Sequence, residues 1–142
     1  MIGIRFALYA DLMLIAGLAT FPLYALTRSE RLAPQSMMAA IWRAERWLCT
    51  AGLLLSILGM GVLAASMQGV SLLSLELQPF WDLVRETDVG TAWVYRSAAL
   101  LLALAVPIWM VRWPTTSAAV LAAAGSVAVA SLVWSGHAGA TE

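Results

Sequence analysis

The stretch WLCTAGLLLSILGMGVLAASM, residues 47–67, decides the fold because it contains no charged side chain over its whole length. A helix that spans a bilayer needs about 20 largely apolar residues, since all its backbone polar groups must bond within the segment. Three more stretches approach that length, at residues 6–26, 91–111 and 116–134. The sequence therefore predicts an all-α integral membrane protein, a bundle of four transmembrane helices in a single domain over residues 1–142.

The composition of the whole chain points to the same surroundings. Of 142 residues, 62% are hydrophobic and 11% are charged, and a water-soluble domain of this size has too little interior for so much apolar surface. The net charge is zero and lysine is absent, which excludes a basic face for nucleic acid. The single cysteine, Cys49, cannot form an internal disulfide. The expected surroundings are a lipid bilayer.

The arginines predict how the four spans are oriented. The first connection carries four of them and the third carries one, whereas the second connection is mainly acidic. Because cytoplasmic connections are enriched in arginine and lysine, the first and third should be cytoplasmic. Both termini and the second connection would then lie on the outer side of the membrane, which in a bacterium is the periplasm. The arginines concerned are Arg28, Arg31, Arg43, Arg46 and Arg112.

The second connection, SLLSLELQPFWDLVRETD at residues 71–88, mixes leucines and aromatic residues with acids. It is too short and too polar to span, so it predicts a helix lying in the outer interface between spans 2 and 3, broken near Pro79. Such a helix would cover one end of the bundle as a lid. Five tryptophans lie at predicted span ends, where an aromatic belt is expected: Trp42, Trp47, Trp93, Trp113 and Trp134.

Two charged residues lie inside predicted spans, Asp11 in the first and Arg96 in the third. A charge at that depth costs about 2.5 to 3.5 kcal/mol on insertion scales, so it needs a partner or a function. The predicted orientation puts both at similar depth in the outer third of the membrane, which allows an ion pair. Two interpretations stay open: a structural pair, or Asp11 as a ligand or proton acceptor in an outward cavity with Arg96 setting its charge.

The only histidine, His137, lies at the outer end of the fourth span. Neutral imidazole is a common ligand for copper and zinc, and a thioether suits reduced copper. Asp11 and Met13 lie in the outer half of the first span and are the other candidate ligands. The competing interpretation is that methionine in an apolar helix usually serves packing.

Three pieces of the sequence resemble the copper resistance protein D family of bacterial inner-membrane proteins. They are IRFALYADLMLIAGLA at residues 4–19, ETDVGTAWVYRSAALLLALA at 86–105, and SGHA at 135–138. In that family, Trp93 and Arg96 match the third-helix motif and His137 matches the histidine of a Gly-His-Ala motif. The resemblance implies copper transport or resistance at the inner membrane, often with a periplasmic copper-binding partner of the CopC type.

The chain departs from the family pattern in two respects. Members commonly have a histidine in the first helix shortly after an Arg-Phe pair, where this chain has Ala7, Leu8 and Tyr9. Members also generally have twice as many helices. The chain therefore corresponds to the N-terminal four-helix half, either as a fragment of a longer protein or as a half-length homologue that must pair with itself or with another subunit.

The alternative function is a structural or haem-bearing redox subunit of the membrane. A haem generally takes axial ligands such as His with His or Met; with one histidine, at a helix end, bis-His ligation within a single chain is impossible, so no haem is expected unless the chain dimerises. An enzyme is not expected either, because the sequence has neither a Ser-His-Asp set nor a phosphate-binding glycine loop.

Overall fold

The computed structural model describes residues 2–27, 37–109 and 114–137, with side chains given for residues 2–27, 37, 39–106, 116–117 and 119–132. All regular structure in these ranges is helical, which confirms the predicted all-α fold. The elements are α1 (Ile2–Ala25), α2 (Met37–Gln68), a 3-10 turn (Leu72–Ser74), α3 (Leu77–Glu86), α4 (Asp88–Trp109) and α5 (Pro114–His137).

Within these residues, three helical segments are long and apolar enough to cross a membrane. They are Ile2–Ala25, Ala39–Gln68 and Asp88–Val106, and α5 adds the shorter apolar segment Ala119–Leu132. The chain is thus a membrane protein with an all-α bundle. Its organisation as one domain with four spans at the predicted limits stays a prediction.

The four long helices pack in a ring, in which α1 contacts α2, α2 contacts α4, α4 contacts α5 and α5 contacts α1. Small residues bring α5 close to α1: a Cβ added at Gly125 would lie 3.1 Å from the Cα of Ala16. Such small faces are the usual means by which helices associate within a bilayer. The largest apolar side chains that are completely buried in the interior include Leu12, Ile15, Leu100 and Leu121.

Helices α1 and α2 run antiparallel, and two close approaches fix their register. A Cβ added at Gly52 would collide with the carboxylate of Asp11, and one added at Gly59 would lie 3.6 Å from Ile4. Moving seven residues along α1 therefore moves seven residues back along α2. The same register places Glu45 level with Leu18.

Helix α2 is longer than the predicted second span, since it begins at Met37 instead of near residue 47. The added part includes Ala39, Ala40 and Ala44, and alanine is the strongest helix former. It also carries Arg43 and Glu45, and because these residues are charged, a search for apolar segments does not include this part of the helix. Residues that the sequence assigned to the first connection are therefore part of a helix.

The predicted amphipathic helix between the second and third spans is present as α3, which packs against α4 and α2. The expected break lies before it, at Leu75 and Glu76. Pro79 is in the first turn of α3, where its missing N–H is not needed for the helix. The chain then turns at Thr87 into α4, and in the first turn of α4 a Cβ at Gly90 would collide with the carbonyl oxygen of Val84.

The tryptophans occupy more than one kind of position. Trp47 is 77% exposed, as expected at an interface, whereas Trp42 is buried in the bundle. Trp93 is half-buried and its ring packs edge-on against Phe80 of α3, with centroids 6.3 Å apart. Trp113 and the side chain of Trp134 lie outside the described part of the chain.

Candidate functional site

Asp11 lies in α1 with its side chain 7% exposed, turned toward α2. Its carboxylate occupies the space beside Gly52, where any larger residue would collide with Oδ2. Oδ2 is buried and has no hydrogen-bond partner. Glycine at position 52 thus makes room for an unpaired carboxylate oxygen inside the bundle.

Arg96 and Trp93 of α4 both donate hydrogen bonds to the same residue of α2, Ser56. The Nε of Arg96 donates a hydrogen bond to Ser56 Oγ at 3.2 Å, and the Nε1 of Trp93 donates to the Ser56 carbonyl oxygen at 3.0 Å. Residues three apart on a helix lie on the same face, so the tryptophan and arginine of a Trp-x-x-Arg sequence can both bond to one residue of the neighbouring helix. Both Arg96 and Ser56 are buried, so this contact links α4 to α2 in the bundle interior.

The ion pair predicted between Asp11 and Arg96 is not formed by these described side chains. Asp11 docks at Gly52 and Arg96 docks at Ser56, which lies one turn further along α2. The arginine Nε is taken by a serine hydroxyl, and Asp11 Oδ2 receives no hydrogen bond. Each of the two charged residues therefore meets α2 separately.

The other two candidate ligands are not brought to Asp11. Met13 is 62% exposed, because residues two apart point to nearly opposite sides of a helix. It lies on the outer surface of the bundle, away from the Asp11 carboxylate. Helix α5 ends at His137, and the imidazole of that residue lies outside the described side chains.

Sequence reasoning missed Glu45, which is 2% exposed, with neither carboxylate oxygen hydrogen-bonded. One turn later on the same face lies Cys49, which is 1% exposed. The charge of Asp11 acts on Glu45, and the charges of both acids act on Cys49. The signal that could have revealed this group is the helical spacing of residues 45, 49, 52 and 56, which continues the second span into the arginine-rich segment.

A cavity of about 300 Å³ opens between the C-terminal end of α2 and α3. Its lining includes the acids Asp82 and Glu86, one turn apart on α3, and the thioether of Met67. In the ranges with described side chains, no three or more His, Cys, Asp or Glu residues come together as a metal site. The polar groups are instead distributed between this cavity and the bundle interior.

Comparison with known proteins gives two matches. The sequence model described as "Copper resistance protein D-like, N-terminal domain" matches residues 1–142. Copper resistance protein D of Pseudomonas syringae pv. tomato is 39% identical over 137 residues, which cover 96% of this chain and 43% of that protein. The chain thus spans less than half the length of the curated relative that it matches. No solved structure matches it.

Proposed function

The chain belongs to the copper resistance protein D family, and on this premise we propose that it takes part in moving copper ions across the bacterial inner membrane. It corresponds to the N-terminal domain of the family. We further propose that it works without enzymatic chemistry, with copper as its cargo. Inward movement, meaning copper uptake, is the direction that the placement of the acidic groups supports.

The observation that carries this proposal is the unpaired carboxylate of Asp11 within a membrane-spanning helix. A buried acid without a partner costs several kcal/mol in hydrocarbon, so a purely structural acid would be expected to have a hydrogen-bond donor. The nearby cation, Arg96, bonds to Ser56 through its Nε instead. Asp11 Oδ2 therefore remains available as an oxygen ligand for an entering cation.

An entry route follows from the side of the bundle on which these groups lie. The cavity with Asp82, Glu86 and Met67 is at the end where α1 begins and α2 ends. Short connections favour alternating helix directions in a bundle, which would bring the C-terminal end of α5, with His137, to that same end. The arginine bias favours the periplasm for this end. We propose that the acids and His137 receive the ion there and that Asp11 takes it into the bundle.

Further components are part of the proposal, since the matched relative is more than twice as long. A second membrane half, or another copy of this chain, would complete the path across the bilayer. A periplasmic copper-binding protein of the CopC type would deliver the ion to the acidic end.

Copper accumulation in cells tests this function. Cells expressing the wild type should accumulate more copper than cells with an empty vector. Asp11→Asn should lose most of that gain, because the amide is a weaker ligand for a cation than the carboxylate. Glu76→Gln is the matched control, since it makes the same acid-to-amide change at an exposed residue outside the spans. If the wild type matches the empty vector, copper uptake is excluded, and if His137→Ala matches the wild type, the histidine is not a ligand.

A further inference from the structure

We propose that Glu45 and Cys49 form a second, deeper binding position through which copper passes in its monovalent state. This inference rests on the proposed copper transport and adds a site and an oxidation state to it. Asp11 would be the ligand nearer the periplasmic end, and the pair on α2 would be the next.

The two residues belong to a continuous row on the buried face of α2. The α2 interior row consists of Glu45, Cys49, Gly52, Ser56 and Met60, spaced by three or four residues, so that all lie on one side of the helix. Every member is buried. The row contains two sulfur atoms, a carboxylate and a hydroxyl, whereas hydrocarbon side chains would suffice for packing. Such a concentration of donor atoms inside a membrane bundle is the expected lining of an ion path.

The structure gives Glu45 no packing or hydrogen-bonding reason to be an acid. Both of its carboxylate oxygens are buried without a partner, and the indole Nε1 of Trp42, one turn earlier, is also unpaired. A buried polar group without a hydrogen bond costs about 1 to 3 kcal/mol by mutational measures. The bundle therefore carries this cost at two adjacent polar side chains. A cation bound at Glu45 would offset the part of this cost that lies on its carboxylate, whereas the indole N–H of Trp42 needs an acceptor.

The charges inside the bundle also call for a cation. Asp11 and Glu45 lie within range of each other's charge, and Cys49 lies within range of both. Arg96 is the buried cation among the described side chains of the spans, and its Nε is bonded to Ser56. With both acids ionised, this group carries one net negative charge. One monovalent cation would neutralise this charge, and release of the Cys49 proton on binding would return the group to one net negative charge, so copper enters without adding charge to the interior.

The donor atoms favour monovalent copper over other ions. Thiolate and thioether sulfurs select soft ions such as Cu⁺, whereas Mg²⁺ and Ca²⁺ require shells made of oxygen. Structural zinc sites take four protein ligands, and no group of even three His, Cys, Asp and Glu residues comes together in the described bundle. A position with few donors also binds weakly enough to release its ion, as transport requires. The sulfur would bind as thiolate, with its proton released as copper arrives.

The depth of this position makes it the next step after Asp11. The α1–α2 register places Asp11 at Gly52, and Glu45 lies seven residues further toward the opposite end of the bundle. At 1.5 Å per residue this is about 10 Å deeper along the axis, with Cys49 in between. An ion leaving Asp11 would meet the Cys49 sulfur and then the Glu45 carboxylate.

Competition with a colorimetric Cu⁺ chelator tests the site on the purified full chain in detergent, with ascorbate keeping copper reduced. Cys49→Ser and Glu45→Gln should each weaken the tightest Cu⁺ binding by about tenfold or more, a loss of about 1.4 kcal/mol. Thr50→Ala is the matched control, since Thr50 is next to Cys49 in the sequence but its side chain is exposed. Cys49 is the only cysteine, so a thiolate contribution can come from nowhere else in the chain.

A further variant separates ligation from packing. Cys49→Met restores a soft sulfur donor and should recover Cu⁺ binding relative to Cys49→Ser, with helix content compared by circular dichroism. Cu⁺ affinities equal to the wild type in both Cys49→Ser and Glu45→Gln would overturn the inference, even if cells take up copper. Weakened binding in these variants, together with no uptake by the wild type, would instead leave the site standing and refute the transport proposal.

Discussion

Ser56 shows how a single small residue can organise the interior of this bundle. Its hydroxyl accepts from Arg96 and its carbonyl oxygen accepts from Trp93, so two polar side chains of α4 are satisfied at one turn of α2. One turn earlier, Gly52 provides space for Asp11. The polar residues of α1 and α4 therefore meet at consecutive turns of the same helix face.

The importance of Asp11, Trp93 and Arg96 could be anticipated from sequence, because a charge inside an apolar span is conspicuous and the Trp-x-x-Arg pattern resembles a family motif. The residues that these three side chains contact could not be anticipated from sequence. Whether Arg96 reaches Asp11 or Ser56 depends on the rotation of three helices, which hydropathy does not specify. Glu45 was missed for another reason: it lies between Arg43 and Arg46, where it reads as part of a charged connection.

Gly52→Ala should destabilise the bundle by about 1 to 3 kcal/mol, because the new Cβ collides with the Asp11 carboxylate and forces a shift in a packed interior. Thermal unfolding in detergent, followed by circular dichroism, measures the effect. Gly17→Ala is the control, since a Cβ there has nothing within 4 Å. Combining Gly52→Ala with Asp11→Ala should remove most of the penalty. Additive losses in the double variant would show that the two residues are not in contact.

At the level of the helices, composition explains where the helices lie in the sequence, whereas close contacts between backbones explain how they pack. The predicted centres of the spans agree with the helices because twenty apolar residues leave few alternatives. The start of α2 differs because residues 37–46 form a helix although Arg43, Glu45 and Arg46 interrupt their apolar sequence. The amphipathic character of α3 was visible in its mixed leucines and acids, whereas its seat against α4 depends on Gly90, where the backbone of Val84 comes too close for a side chain.

Gly125→Val should separate α5 from α1 and destabilise the bundle, again by about 1 to 3 kcal/mol. The Cβ alone would lie 3.1 Å from the Cα of Ala16 and 3.4 Å from its backbone nitrogen. Backbone atoms cannot move aside as a flexible side chain can, so the helices must shift. The loss would appear as a lower unfolding temperature in detergent. Ala123→Val, at an exposed position on the same helix, should change it little, and equal losses in both variants would contradict a specific α1–α5 contact.

For the molecule as a whole, the ring of four long helices places the proposed functional groups at successive depths along the bundle axis. The acidic cavity lies at one end, Asp11 lies inside the bundle near that end, and Cys49 and Glu45 lie deeper. Sequence anticipated the bundle, the acidic end and the family, because each leaves a local or compositional pattern. The line of polar groups through the interior arises only when α1, α2 and α4 are packed together.

The orientation of this axis in the membrane determines whether the acidic end receives copper from the periplasm. Arg43 and Arg46 lie at the opposite end of α2 from α3, while Arg28, Arg31 and Arg112 lie outside the described residues; all five favour the cytoplasm for that opposite end. In a Cys49→Ser background, Glu76→Cys should react with a membrane-impermeant maleimide added to intact spheroplasts.

Thr27→Cys, at the other end of α1, should react with the same maleimide only after the spheroplasts are permeabilised, because the predicted topology places it in the cytoplasm. The two positions control for each other, since both lie beyond helix ends and the Cys49→Ser background leaves no other cysteine. Labelling of Thr27→Cys from outside, with Glu76→Cys protected, would show that the bundle has the opposite orientation in the membrane. The acidic cavity and Asp11 would then face the cytoplasm, and the proposed entry of copper from the periplasm at this end would be wrong.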